Sequence, residues 1–151
     1  MRIFIFKTTQ RLNTDLSTAW KFFSDPRNLA EITPKWLGFN ILSSLPDKMF
    51  PGMLIVYKVK PLFGIPLTWV TKINNIEEKY FFIDEQKFGP YKLWHHKHTF
   101  IEKDGGVEMI DEVTYSPGFG FLSSIINRII VSKKIDEIFA YRKDVLNRLF
   151  C

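Results

Sequence analysis

Trp94-His95-His96-Lys97-His98-Thr99-Phe100, then Asp104-Gly105, then Val107-Glu108-Met109-Ile110-Asp111-Glu112-Val113-Thr114-Tyr115 fix more of this molecule than any other part of the chain. Two alternating runs flank an Asp-Gly dipeptide, the signature of a β-hairpin closed by a two-residue turn. Such a turn pairs Lys103 with Gly106 and sets the register of everything beyond it. Trp94 then stands opposite Tyr115, His96 opposite Val113, His98 opposite Asp111 and Phe100 opposite Met109. Alternation puts all eight on one face. The other face carries His95, Lys97, Thr99, Glu108, Glu112 and Thr114, a solvent-type set with Ile101 and Ile110 as exceptions. The inner face therefore interleaves polar groups with large aromatics.

Moving towards the N-terminus, a three-residue loop at Gly89-Pro90-Tyr91 aligns Asp84 with His96, Phe82 with His98 and Gln86 with Trp94. One strand further, Trp69, Thr71 and Ile73 lie beside Gln86, Asp84 and Phe82. Runs bounded by Pro, Gly, Asp or Asn predict strands over 39–42, 53–60, 68–76, 80–88, 92–102 and 107–115, preceded by a first strand from Ile3 to Leu12. Between the first two strands, Asn13 or Asp15 caps a helix over 16–24, Asp25-Pro26 breaks it, and a second short helix covers 28–32. After Pro117-Gly118-Phe119-Gly120, one helix runs to about Leu149, its apolar stripe being Val131, Ile135, Ile138, Val145 and Leu149. Nearly thirty residues at 1.5 Å each give about 40 Å, enough to cross a whole sheet. The expected fold is α+β: a seven-stranded antiparallel sheet wrapped around a long C-terminal helix, with two short helices after strand 1.

The 151 residues are the length of one average domain, so residues 1–151 are read as a single domain. An apolar fraction of 46% and 15 Phe, 5 Tyr and 4 Trp are enough for a sizeable core. They also suit a large apolar pocket, because flat rigid rings line a cavity without filling it. The net charge is +5, with Lys and Arg scattered and no basic aromatic tract, which argues against a nucleic-acid partner. The one cysteine, Cys151, excludes an internal disulfide and a zinc set. The N-terminus alternates where a signal peptide would be continuously apolar, and no stretch reaches the length of a span. A cytoplasmic protein without stable membrane insertion is the expectation.

Asp84, Gln86, His96, His98 and Asp111 cannot sit unpaired in an apolar interior. Either they satisfy one another across strands and stitch the sheet, or they line a pocket that water or a ligand's head enters. Both readings stay open. His96 and His98 with Asp84 and Asp111 also offer possible metal ligands, yet such spacing arises by chance, and no metal and no cofactor is assigned. A His–Asp pair is a ready acid/base couple as well, although no nucleophilic Ser or Cys motif accompanies it. Arg142 falls in the helix stripe, where its guanidinium either snorkels to the edge or pairs with a carboxylate, from Asp84, Asp111 or an acidic ligand.

The order of elements and a set of residues resemble the START / polyketide-cyclase / pollen-allergen superfamily, the SRPBCC proteins of helix-grip fold. More narrowly they resemble an uncharacterised bacterial branch of ligand-binding-like proteins, some labelled cell-division inhibitors. Pro26, Leu29 and Ile32-Thr33-Pro34 carry the likeness, as do Gly52 and Trp69 with Thr71. The run Phe82, Asp84, Gln86, Gly89-Pro90-Tyr91, Trp94, His96, His98 and Phe100 follows. Met109, Asp111, Tyr115, Pro117, Gly120, Phe139 and Arg142 complete it. The resemblance implies a cavity between helix and sheet that takes a lipid, polyketide or other apolar molecule.

Three functions follow as expectations. The first is binding, without reaction, of a small apolar or amphipathic ligand. Its tail would lie on Trp20, Trp69, Phe100, Met109 and Ile138, with its head at His96, His98, Asp111 and Arg142. Trp94, Tyr115, Asp84 and Gln86 complete the expected site. The second is a cyclase- or dehydratase-type enzyme using His98–Asp111 as base and orienter, with His96 and Asp84 beside them. The third is a protein-interaction domain in cell-division regulation.

Overall fold

The computed structural model describes residues 1–61 and 63–151. The hairpin forms as its turn demands. Asp104 (φ 51°) and Gly105 (φ 73°) both lie in the left-handed region, the pattern of a type I′ turn, and Lys103 pairs with Gly106. Strands β6 (Leu93–Lys103) and β7 (Gly106–Ser116) then run in register, with Trp94 opposite Tyr115, His98 opposite Asp111 and Phe100 opposite Met109.

The remaining strands are β1 (Phe4–Leu12), β2 (Asn40–Ile41), β3 (Leu54–Val59), β4 (Leu67–Glu77) and β5 (Phe81–Phe88). They complete one antiparallel sheet in the order β1-β7-β6-β5-β4-β3-β2. Asp84 pairs with His96 and Phe82 with His98, but the β5–β6 ladder ends at Glu85–His95. Gln86 does not face Trp94. Its amide closes the turn instead, Nε2 donating to the Tyr91 carbonyl at 2.6 Å and Oε1 accepting from the Tyr91 N–H at 3.1 Å.

Between β4 and β5 the expected register is displaced. Thr71 pairs with Gln86, Ile73 with Asp84 and Ile76 with Phe82, with irregularities at Val70/Thr71 and Ile73/Asn75. Bulges insert residues that composition does not mark. The two-residue displacement at Thr71 and Ile73 preserves the face, so Trp69, Thr71 and Ile73 are still buried.

Helix α1 (Leu16–Phe23) is capped by Asp15, whose carboxylate accepts from the Thr18 N–H at 2.9 Å, and it buries Ala19 and Trp20. The second short helix is a 3-10 turn over Pro26–Ala30, earlier than expected because Pro26 fits its first turn. A further 3-10 turn covers Lys35–Leu37.

The C-terminal helix occupies 120–149 and is not uniform. A 3-10 turn (Gly120–Leu122) leads into α2 (Ser123–Ile126), a widened π turn (Asn127–Val131) and α3 (Ser132–Leu149). In the π turn the buried Asn127 accepts a hydrogen bond from the Tyr115 hydroxyl at 2.8 Å. The buried stripe is Val131, Ile135, Phe139, Arg142, Val145 and Leu146. Leu149, expected in the stripe, is exposed. The helix stops there and Phe150 turns inward instead, edge-on to Phe22 at 5.5 Å. Among the described residues no helix is long and apolar enough to cross a membrane.

Candidate functional site

Three adjacent strands and the helix bring the polar groups together. Asp84 comes from β5, His96 and His98 from β6, Asp111 from β7 and Arg142 from α3. The His96 Nε2 lies 2.7 Å from Asp111 Oδ1, and the His98 Nε2 2.6 Å from Asp84 Oδ2. The pairing is thus not the expected His98–Asp111 couple: His98 Nδ1 sits 3.2 Å from Asp111 Oδ1 but makes no hydrogen bond to it. Arg142 Nη1 approaches the same carboxylate at 3.9 Å, too far for a hydrogen bond.

Electrostatics assign the protons. Burial alone would raise both carboxyls, but the imidazoles bonded to them hold Asp84 and Asp111 well below the usual carboxylate range. Ionised carboxylates only accept, so each Nε2 carries a hydrogen. Burial would push His98 down, and its two neighbouring carboxylates override that and hold it above the ordinary histidine value. His96 goes the other way, lowered by burial and by the charge on His98. In the form with His98 protonated and His96 neutral, the direction these shifts favour, the two carboxylates, Arg142 and His98 sum to zero and the His96 Nδ1 lone pair is free. A neutral cluster is the form a buried site tolerates.

Against this cluster lies a cavity of about 170 Å³. Its lining is mainly apolar, including Tyr57, Trp69, Tyr91, Trp94, Ile138 and Phe139. Asp84, His96, His98 and Arg142 also reach it. Trp69 and Trp94 meet edge to face at 5.4 Å and fix one wall. The Tyr57 hydroxyl and Thr71 Oγ1 share a hydrogen bond of 2.9 Å on another.

Several expected residues lie elsewhere. Phe100 and Met109 are fully buried in the core under α1, Phe100 packing on Trp20 at 5.5 Å and Phe23 at 5.4 Å. Trp20 belongs to the same core and Tyr115 is tied to Asn127. Gln86 is used in its turn, and Asp111 stands behind the two imidazoles. Tyr57, Tyr91 and Phe139 line the cavity but were not among the expected contacts. The alternation Ile55, Tyr57, Val59 carries that signal for Tyr57.

Three buried nitrogens of residues that line this cavity have no hydrogen-bond partner among the described residues: Trp69 Nε1, His98 Nδ1 and Arg142 Nε. Asp84, His96 and His98 also present ligand-type atoms within 4.8 Å of one another. Within this trio His98 Nε2 and Asp84 Oδ2 already hydrogen-bond, and a cation there would displace that bond beside the Arg142 charge.

No family model matches the chain, and no curated relative does. Solved structures do share the fold. A protein from Arthrobacter aurescens superposes with a TM-score of 0.73 at 13% identity, over 95% of this chain and 86% of that one. Ara h 8.0201 gives 0.64 at 18% identity, over 97% and 99%. The di-domain ARO/CYC protein BexL of the BE-7585A biosynthetic pathway gives 0.61 at 16% identity, over 95% of this chain and 50% of BexL. At these identities the likeness establishes the helix-grip fold.

Proposed function

We propose that this protein binds a small amphipathic molecule in the cavity between sheet and helix, its apolar body among the aromatics and an acceptor-bearing head at Arg142. The carrying observation is one mainly apolar void whose lining residues Trp69, His98 and Arg142 each hold an unpaired buried nitrogen. A buried N–H without a partner costs about 1–3 kcal/mol, and Arg and Trp nitrogens can only donate. A carboxylate supplies the missing acceptors and fits a guanidinium in two-pronged fashion. Pockets of this kind, apolar with a few converging polar groups, are the usual form of small-molecule sites.

The volume bounds the guest. An engineered cavity of about 150 Å³ holds benzene, so 170 Å³ suits one ring with a short acidic arm. A long lipid chain requires the lining to open. We place this activity in the cytoplasm, where an exposed single thiol such as Cys151 stays reduced.

Native mass spectrometry of freshly purified protein, followed by thermal denaturation across matched acids, amides and hydrocarbons, tests the reading. At a hundredfold excess over Kd, an acid ligand adds about 2.7 kcal/mol, roughly 5–10 °C for a chain of this size. No adduct and no acid-selective shift would reject it.

A second reading is acid/base catalysis of the cyclase or dehydratase type. What favours it is His96: neutral, with Nε2 held by Asp111 and Nδ1 free, it is arranged as a general base. In that reading Asp111 orients His96 and not His98. The fold shared with the ARO/CYC protein BexL is compatible with it.

A further inference from the structure

One end of the sheet gathers three connections: β3–β4 after Val59, β5–β6 after Phe88, and the entry to the C-terminal helix after Ser116. The pairs Val59–Leu67 and Leu93–Ser116 mark that end, and the Lys92 N–H donates to the Ser116 carbonyl at 2.9 Å. The 3-10 turn Lys35–Leu37 joins it, since the Lys60 N–H donates to the Leu37 carbonyl and Trp36 stacks under Lys134 of α3 at 4.5 Å.

This end is apolar where it meets water. Phe121 and Phe63, 93% and 86% exposed, are the most exposed large apolar side chains among the described residues. Phe88, Phe119, Ile125 and Ile129 beside them are more than half exposed. Phe63 (φ 53°) and Phe119 (φ 62°) occupy left-handed backbone, where Gly or Asn is favoured. Neither local conformation nor burial explains a phenylalanine there.

The charge is one-sided too. Although the chain has 16 Asp and Glu, none falls within 33–40, 58–68, 86–93 or 115–135. Those segments expose Lys35, Lys58, Lys60, Lys92, Arg128 and Lys133, none of them in an ion pair among the described residues. At the opposite end the turns carry Glu77, Glu78, Glu102 and Asp104.

We propose that this end docks on the surface of an anionic phospholipid bilayer, with Phe63 and Phe121 entering the headgroup layer and the surrounding lysines facing lipid phosphates. Aromatic side chains ringed by uncompensated Lys and Arg are the chemistry of interfacial binding. A protein partner would need matching acids around an apolar pocket, whereas a bilayer supplies both over any area. The cavity reaches the same end through Leu37, Pro61 and Tyr91, so a guest dissolved in the bilayer has a short path to it. The docking itself does not depend on what the cavity holds.

Vesicle co-sedimentation of the full chain tests this, comparing phosphatidylcholine alone with phosphatidylcholine carrying about 30% phosphatidylglycerol. Binding to the anionic vesicles at least about tenfold tighter, and lost in about 0.5 M salt, is expected. F63S and F121S should each weaken it about tenfold without changing thermal unfolding, and K60E/K133E should abolish it. No sedimentation with either vesicle, or equal sedimentation with both, overturns the proposal. So does a dimer by light scattering that F121S dissolves, which would mean that a second copy covers this face.

Discussion

The rings of His96 and His98 lie 3.7 Å apart on one strand, and each gives its Nε2–H to a different carboxylate, His96 to Asp111 and His98 to Asp84. Burial lowers His96, and the charge on His98 adds to that, whereas the two carboxylates beside His98 outweigh its burial and raise it.

Stability should therefore fall on both sides of neutrality. His98, with a raised folded value, contributes stability that is complete below the 6.5 of a free histidine and is lost as pH rises through the folded value. His96, with a lowered folded value, adds a penalty as pH falls from 6.5 through its own. Asp84 and Asp111 contribute above 3.8, and that is lost as pH falls towards their depressed values. Denaturant titrations across about pH 3–9 should show a maximum near pH 6–7, with H98Q flattening the alkaline arm and H96Q the arm just below 6.5. Stability that is flat from about pH 5 to 8 in wild type would contradict this.

Removing Asp111 should be severe. It is buried and bonded to His96, and its loss strands Arg142 and His98 with one carboxylate between them. Asp111→Ala is expected to cost about 3–5 kcal/mol by chemical denaturation. Asp84→Asn, at a site with some solvent contact, should cost less.

Arg142→Met should weaken folding as well as binding. The guanidinium makes no hydrogen bond to the described residues, but its charge balances the buried Asp84 and Asp111, so chemical denaturation is expected to show a loss of about 3 kcal/mol. With one positive charge gone from between the carboxylates, the His96 imidazole should titrate higher, which nitrogen chemical shifts read directly.

The helix stripe offers a packing test. Leu146→Ala and Ile135→Ala, at fully buried positions, should each cost about 2–5 kcal/mol, whereas exposed Leu149→Ala should change stability by less than about 0.5 kcal/mol. Comparable losses at 146 and 149 would contradict this.

The sequence exposes most of this architecture because its decisive turn is short. Asp104-Gly105 allows one register, and alternation then assigns a face to each residue from Trp94 to Tyr115. Further out that control weakens: the turn after Glu77 puts Ile76 and not Ile73 opposite Phe82, an extra residue at Asn74 then leaves Ile73 and Thr71 two positions from their expected partners, and nothing in Thr71-Lys72-Ile73-Asn74-Asn75 marks that bulge. The polar cluster was legible because face membership suffices to collect Asp84, His96, His98 and Asp111. Its bonding was not, since the carboxylate each imidazole reaches depends on side-chain rotation as well as register. Phe100 and Met109 show the same limit, because an inward residue meets either a void or another element, and here α1 fills the space.

The most direct test is calorimetric titration of a ring-sized carboxylate and its uncharged amide into wild type and Arg142→Met at neutral pH. The acid should bind wild type, with the amide at least about tenfold weaker and the acid's affinity for Arg142→Met reduced by a similar factor. Equal affinities for acid and amide, or an acid that binds Arg142→Met as well as wild type, would contradict the account.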